Sequence, residues 1–226
     1  DNGMNDLAYT LLLNEEYPGW LHEILLGATT VWERWNSLDE EGHISSTGMN
    51  SLNHYSYGSV VEWVYRYVLG FRVDEADPGA KHLNIAPSYN WNLKEAAGNF
   101  DSAAGNYKVA WKIVDPTQVS LSVQVPFDAS ADIVLADAVE DTYADKENPL
   151  FADVCDGVCH VGSGTYEITY QVKTALKKSY STYSTVRELR SNAAIVKDLG
   201  EKMGLDRMPT QICLLYTSPS PRDVEE

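Results

Sequence analysis

Glu33 is the residue whose surroundings most favour chemistry, because it is a carboxylate set between two indoles, Trp32 and Trp35. The apolar walls of the indoles favour the neutral carboxyl group, whereas the adjacent Arg34 charge favours the ionised carboxylate. An ionised carboxylate beside rings on which a sugar can stack is suited to act as a general base toward water. The alternative is an ordinary surface salt bridge in a tryptophan-rich turn.

His54 lies 21 positions after Glu33, in a segment dense in amide and hydroxyl groups. Such groups are the donors and acceptors that fix sugar hydroxyls. They belong to Asn50, Ser51, Asn53, Tyr55 and Tyr57. The polar loop 36–50 between the two motifs is a suitable place for a binding site. A lone histidine is more often a satisfied structural residue, so that interpretation of His54 also stays open.

Three helical segments have to position these residues. Residues 7–13 are apolar on nearly every side, and Pro18 suits the first turn of a second helix that runs to Leu25, with Gly27 as its cap. Residues 59–69 have a helical period that ends at Gly70. The residues expected to face inward on this third helix are Val60, Val61, Val64, Tyr65, Val68 and Leu69. Three such helices do not close a core alone, so we expect them to belong to a larger helical domain.

After residue 79 the apolar period changes from helical to two, which is typical of half-buried strands. The alternating apolar positions are Tyr107, Val109, Trp111, Ile113, Val119, Leu121, Val123, Val125, Ile133, Leu135, Tyr166, Ile168, Tyr170 and Val172. Several short strands at hairpin spacing predict an antiparallel β-sandwich.

Two segments near the end of the chain differ from the rest. Residues 181–204 have a helical pattern again and predict a small appended helical segment. Residues 213–226 resemble the conceptual translation of a sequencing adapter, so we expect them to be an artefact outside the fold.

Composition excludes several classes of partner and cofactor. The formal net charge is −16, which disfavours binding to nucleic acid and to anionic membranes. Cys155, Cys159 and His160 lack a second cluster of metal ligands, so we expect no metal and no cofactor. The 14 tyrosines and 6 tryptophans suit a carbohydrate site, although ordinary core and sheet packing is the more common explanation of such a composition. No basic segment followed by an apolar one opens the chain, which leaves the compartment unknown with the cytoplasm favoured.

Two long motifs carry a resemblance to a known family. Residues 27–35, GATTVWERW, followed by residues 48–59, GMNSLNHYSYGS, resemble the C-terminal catalytic segment of the bacterial α-L-rhamnosidases. The resemblance extends over residues 5–172 and implies an α+β multi-domain fold, in which the last helices of an (α/α)6 barrel precede an antiparallel β-sandwich. It implies a catalytic part at 1–79, a sandwich at 80–175 and a helical tail at 176–212.

The same resemblance implies inverting hydrolysis of terminal α-L-rhamnosyl bonds in rhamnose-containing glycosides. Glu33 matches the general base of the motif and His54 a residue that contacts rhamnose, while Trp32, Trp35 and Asn53 match the pocket wall less closely. The general acid of the family lies upstream of these motifs, so the chain is expected to be a fragment without activity of its own. Two alternatives stay open: a related (α/α)6 glycosidase acting on another sugar, and a non-catalytic carbohydrate-binding protein.

Overall fold

The computed structural model describes residues 3–39, 41–46, 48–142, 154–178, 180, 189 and 192–203. The chain divides into two compact units, Asp1–Lys178 and Ser179–Glu226. The candidate site and the sandwich both belong to the first unit. Residues 213–226, for which the sequence predicts an artefact, lie outside the described residues.

The three predicted helices are present in the first unit. Helix α1 is Asn5–Leu12, α2 is Trp20–Leu25 and α3 is Val60–Trp63. A 3-10 turn, Ser56–Ser59, precedes α3, and a π-helical turn, Val64–Val68, follows it. None of the helices in the described part of the chain has the length and apolar character needed to span a membrane.

The inward face predicted for the third helical segment is correct at its end and wrong in its first turns. Val68 and Leu69 are buried, but Val61 and Tyr65 are exposed. The period of the pattern identifies the apolar face of a helix. In the described residues Val64, Val68 and Leu69 on that face pack against the core, whereas Val61 does not.

Two β-sheets follow the helices. One has the strand order β3-β4-β5-β9 and the other β1-β2-β6-β8-β7. Their strands are β1 Phe71–Arg72, β2 His82–Ile85, β3 Glu95–Ser102, β4 Gly105–Asp115, β5 Gln118–Val125, β6 Ser130–Val134, β7 Val154–Cys155, β8 Val158–Val161 and β9 Gly164–Gln171. The pairs are antiparallel except β2 with β6, which is parallel. The chain between β2 and β6 passes through β3, β4 and β5 of the other sheet, which is the long connection that a parallel pair requires.

The sandwich core forms where the inner faces of the two sheets meet. Strands β4 and β5 bury every second residue, as the alternation predicts. The buried side chains of these two strands are Tyr107, Val109, Trp111, Ile113, Val119, Leu121, Val123 and Val125. Opposite them lie Leu83, Ile85, Ala131, Ile133 and Cys159. The Tyr107 hydroxyl crosses the core and donates to the Ala80 carbonyl at 2.9 Å.

The helical segment is joined to the sandwich by buried hydrogen bonds. The Trp111 indole N–H donates to the Val68 carbonyl at 2.7 Å, and the Tyr9 hydroxyl donates to the Ser88 carbonyl at 2.6 Å. Tyr9, Val68 and Trp111 are all members of one hydrophobic core. The sandwich therefore fixes α1 and the π-helical turn that follows α3.

The second unit contains helix α4, Ala193–Met203. The Asn192 side chain caps it by accepting hydrogen bonds from the N–H groups of Ala194 and Ile195. This helix lies within the helical segment predicted for residues 181–204.

Candidate functional site

The two sequence motifs run side by side in the irregular chain between α2 and α3. The Glu33 N–H donates to the Ser51 carbonyl at 2.9 Å, and the His54 N–H donates to the Val31 carbonyl at 2.8 Å. The Thr30 hydroxyl adds a third bond, to the Leu52 carbonyl. These bonds hold the two segments in a fixed register, which places the segment of Glu33 next to the segment of His54.

Within the described residues the Glu33 carboxylate has no hydrogen-bond or ion-pair partner, although the side chain is partly buried. The two tryptophans that flank it in sequence differ in burial. Trp32 is buried, with 2% of its surface exposed, and supports the loop from within. Trp35 is partly buried in a cluster of aromatic rings. The carboxylate oxygens are thus free to accept protons or hydrogen bonds from a ligand or from water.

The His54 ring is oriented by the residues that follow it. Its Nδ1 atom accepts the N–H of Ser56 at 3.2 Å and lies 2.7 Å from the Ser56 hydroxyl. Its ring stacks on Tyr55 at a centroid distance of 5.0 Å. A backbone N–H can only donate, so in the neutral imidazole the proton lies on Nε2. The Nε2–H group is then a donor available to a ligand oxygen.

An aromatic cluster adjoins this pair of segments. Trp35 stacks on Tyr57 at 4.0 Å with 14° between the planes, and it meets Trp20 edge to face at 5.1 Å. The Trp20 indole donates to the Tyr57 carbonyl at 3.1 Å. Trp20 is absent from the predicted site, and Tyr57 is predicted there as a hydroxyl group and not as a stacking ring. Their signal in the sequence is the tyrosine and tryptophan content of the two motifs, which does not tell which rings meet.

The loop between the motifs is closed by a small polar core. The Ser37 hydroxyl donates to the Asn50 side-chain carbonyl at 2.6 Å, and the Asn50 amide donates to the Ser37 backbone carbonyl at 3.1 Å. Asn53 is exposed, and its backbone rather than its side chain bonds to Ser51. The predicted role of Asn53 in the pocket wall stays a prediction.

Glu23, on α2, is a buried carboxyl group that sequence analysis does not single out. Its side chain is 3% exposed, its Oε2 atom accepts the N–H of Trp32 at 3.5 Å, and its Oε1 atom is buried without a partner in the described residues. Burial raises the pKa of Glu23, and the hydrogen bond from Trp32 opposes that rise. The Glu23 carboxyl group is thus bonded to the loop at Trp32, the residue before Glu33.

Two further groups of potential metal ligands or thiols lie near or beyond this site. Asp39, Glu41 and His43 are exposed, and their ligand atoms lie within 4.8 Å of one another. Cys155 and Cys159 are free thiols on neighbouring strands, the first exposed and the second buried. Burial raises the pKa of the Cys159 thiol to about 11, which makes it a poor nucleophile and metal ligand.

Comparison with protein families gives two matches that meet near the end of the π-helical turn. Residues 1–68 match the bacterial alpha-L-rhamnosidase 6 hairpin glycosidase domain. Residues 70–149 match the bacterial alpha-L-rhamnosidase C-terminal domain. The order is that of the helices and the sandwich described above.

Curated relatives carry the same name. An α-L-rhamnosidase of Alteromonas sp. (strain LOR) is 42% identical over 132 residues, which is 58% of this chain and 14% of the relative. One of Formosa agariphila is 39% identical over 149 residues, covering 66% of this chain and 16% of the relative. One of Streptomyces avermitilis is 34% identical over 175 residues, covering 75% of this chain and 16% of the relative.

Solved structures agree with these relatives. The α-L-rhamnosidase of Streptomyces avermitilis complexed with L-rhamnose superposes with a TM-score of 0.62 at 31% identity, covering 74% of this chain and 16% of the other. The α-L-rhamnosidase of Dictyoglumus thermophilum gives a TM-score of 0.61 at 30% identity, covering 75% of this chain and 19% of the other.

Helices of a hairpin glycosidase domain followed by a β-sandwich define the class as a glycoside hydrolase. The chain belongs to the bacterial α-L-rhamnosidase family, as the resemblance of the two motifs predicts. It spans 14 to 16% of the length of the curated relatives that it matches.

Proposed function

We propose that this chain supplies the general-base half of an α-L-rhamnosidase active site that hydrolyses terminal α-L-rhamnosyl bonds with inversion. The supporting observation is the backbone register between residues 31–33 and 51–54, which joins the segments of Glu33 and His54, together with the lack of a partner for the Glu33 carboxylate within the described residues. A relative with 31% identity was solved with L-rhamnose bound, which favours rhamnose as the sugar.

Glu33 is the base in this mechanism. Its carboxylate takes a proton from a water molecule while the water oxygen forms a bond to the anomeric carbon. The bond between that carbon and the glycosidic oxygen breaks, and a second carboxyl group gives its proton to the departing oxygen. Inverting glycosidases hold two such groups about 6.5–9.5 Å apart so that water fits between them. We assign the second group to the part of the catalytic domain that precedes the segment matched here.

His54 and the aromatic rings serve to hold the sugar. The Nε2–H of His54 donates to a rhamnose hydroxyl, because Nδ1 is already occupied by Ser56. The stacked pair of Trp35 and Tyr57 offers an apolar surface for the C–H face of the ring. Trp32, which is buried, and Asn53, which is exposed, are weaker assignments to the wall of the pocket.

The first prediction concerns Glu33→Gln in the protein extended to the length of its relatives. We expect kcat on an aryl α-L-rhamnoside to fall by at least about 100-fold, since the amide cannot accept the proton of water. The thermal midpoint should stay unchanged because the Glu33 side chain has no partner within the described residues. NMR of the first product should show the anomer of inverted configuration.

Glu15→Gln is the matched control, because Glu15 is exposed in the chain between α1 and α2 and has no assigned role. The 226-residue chain alone is expected to show no turnover above its own Glu33→Gln variant. A near-normal rate for Glu33→Gln at full length would remove Glu33 as the base. Tight binding of the sugar without any turnover at full length would instead favour a non-catalytic carbohydrate-binding protein.

A further inference from the structure

A cavity of about 360 Å³ lies on the outer side of the sheet that contains β1 and β2, apart from Glu33 and His54. It is bounded by Asn5, the first residue of α1, by the chain after β2, and by the chain after β6 and β9. The volume falls within the range of about 300–1,000 Å³ typical of small-molecule sites. All of its lining residues belong to the first unit.

Two polar side chains of the cavity lie next to each other across a strand pair. Arg72 on β1 and Asn84 on β2 are register partners, and their neighbours Phe71 and Ile85 face the core. Arg72 and Asn84 therefore project together from the outer face. Within the described residues no hydrogen bond to the Asn84 amide is found, so its donors and its acceptor are all available.

The Arg72 guanidinium is held in place beside the cavity. Its Nη2 atom donates to the Ala86 carbonyl at 3.2 Å, and the group lies 5.4 Å from the centroid of the Tyr67 ring. Its Nε atom is buried and has no partner in the part of the chain that the structure describes. A buried N–H without a protein acceptor is available to a water molecule or to an oxygen of a ligand.

Asp137 supplies a fixed acceptor on the opposite side. Its Oδ2 atom accepts the N–H of Thr174 at 2.7 Å, and its backbone carbonyl accepts the N–H of Lys173 at 2.8 Å. The carboxylate is thus oriented by the chain after β9, with its second oxygen available. Pro87, Val172 and Leu176 provide apolar surface between the polar groups.

We propose that this cavity is a second carbohydrate-binding site, which takes one uncharged sugar unit at a distance from Glu33. A sugar hydroxyl can both donate and accept hydrogen bonds. The cavity offers matching groups, because Arg72 supplies a donor, Asp137 supplies an acceptor and the Asn84 amide supplies both. The apolar surface between them matches the C–H face of a sugar ring. Asp137 and the net charge of −16 disfavour an anionic ligand, while Arg72 disfavours a cationic one.

The test is NMR titration of the ¹⁵N-labelled 226-residue chain with L-rhamnose, D-glucose and D-glucuronate. At least one neutral sugar should shift the Arg72 Nε–H and the Asn84 side-chain amide, with a dissociation constant in the millimolar range. The variants Asn84→Ala and Asp137→Asn should each weaken binding by about tenfold, which corresponds to about 1.4 kcal/mol. Asp137→Asn keeps a side-chain oxygen for the N–H of Thr174, so folding should be retained.

Asn99→Ala is the matched control, because Asn99 is exposed on β3 in the other sheet. A double variant, Glu33→Gln with His54→Ala, should bind the sugar at the cavity as the parent chain does. The double variant tests the cavity independently of the proposed rhamnosidase site, because it changes Glu33 and His54 and leaves the residues of the cavity intact. Shifts confined to residues 31–57, binding of glucuronate only, or no shift with any of the three sugars would overturn the proposal.

Discussion

Two carboxyl groups meet the same loop in opposite environments. Glu33 is partly exposed with no partner in the described residues, whereas Glu23 is buried beneath the loop and accepts the N–H of Trp32. Glu33 suits the role of the base because its carboxylate is accessible to water. Glu23, whose pKa is raised by burial, bonds to the peptide before Glu33 and suits the role of a residue that positions the base.

The second prediction follows from the burial of Glu23. Because its pKa is raised on folding, the favourable contribution of Glu23 is fully present below the unfolded pKa and is lost as pH rises through the folded pKa. Glu23→Gln removes the ionisation and keeps an oxygen for the N–H of Trp32. We expect this variant to be about 1 kcal/mol more stable than the parent at pH 8, with no gain at pH 4.

Urea unfolding followed by tryptophan fluorescence measures this difference, since all six tryptophans lie between residues 20 and 111. Glu15→Gln, at an exposed position, should leave the pH dependence of stability unchanged. An equal loss of stability for Glu23→Gln at both pH values would contradict the prediction, because ionisation of Glu23 would then carry no cost in the folded state.

At the scale of elements, the sequence predicts the positions of the strands but not which strands pair with each other. Alternation on β5 identified Val119, Leu121, Val123 and Val125 as buried, because half-buried strands have a period of two whatever lies opposite. The parallel pairing of β2 with β6 has no such local signal, since alternation does not specify a neighbour. The same limit explains Glu23, which tertiary contacts bury although its sequence position suits an exposed helix face.

Of the site, the adjacency of the two motifs agrees with expectation. The resemblance of the motifs implied that Glu33 and His54 belong to one site, and backbone hydrogen bonds join their segments, while the roles of the two side chains stay predictions. The stacking of Trp35 on Tyr57 depends on side-chain directions in irregular chain, for which no sequence period exists. Loops position their side chains through particular hydrogen bonds, such as those between Ser37 and Asn50.

The third prediction concerns Gly70, which joins the π-helical turn to β1. Its φ of +84° is in the left-handed region, and a Cβ atom there would lie 2.3 Å from the backbone nitrogen of Pro87. Gly70→Ala therefore adds a backbone clash to the left-handed strain, and we expect a loss of about 3–5 kcal/mol in the free energy of unfolding. Urea unfolding of the 226-residue chain measures the loss.

Gly27→Ala is the matched control because Gly27 has nearly the same φ, +88°, and no atom within 4 Å of the added Cβ. This variant should lose only about 1–2 kcal/mol, the cost of the left-handed conformation alone. Equal losses at the two glycines would show that Gly70 does not pack closely against the chain after β2.

At the scale of the whole molecule, charge and apolar surface act in opposite directions. The net charge of −16 makes copies of the chain repel one another. Helices α1 and α2 nevertheless expose large apolar side chains, which favour association when they meet. The most exposed of these are Leu7 at 53%, Leu11 at 54%, Ile24 at 59% and Leu25 at 67%. Because repulsion is screened by salt and apolar attraction is not, ionic strength should decide which one prevails.

The fourth prediction is that the chain self-associates, and more so as salt increases. Sedimentation velocity should show a weight-average coefficient that rises with protein concentration, with a steeper rise near about 1 M salt, where charges are screened within about 3 Å. Leu11→Gln should reduce the association, whereas Val114→Gln, at an equally exposed position (53%) on β4, should not. A sharp monomer boundary independent of concentration at both salt levels would mean that the exposed helix faces do not attract one another. Equal effects of the two variants would assign the attraction to apolar exposure in general, because α1 and β4 would then contribute alike.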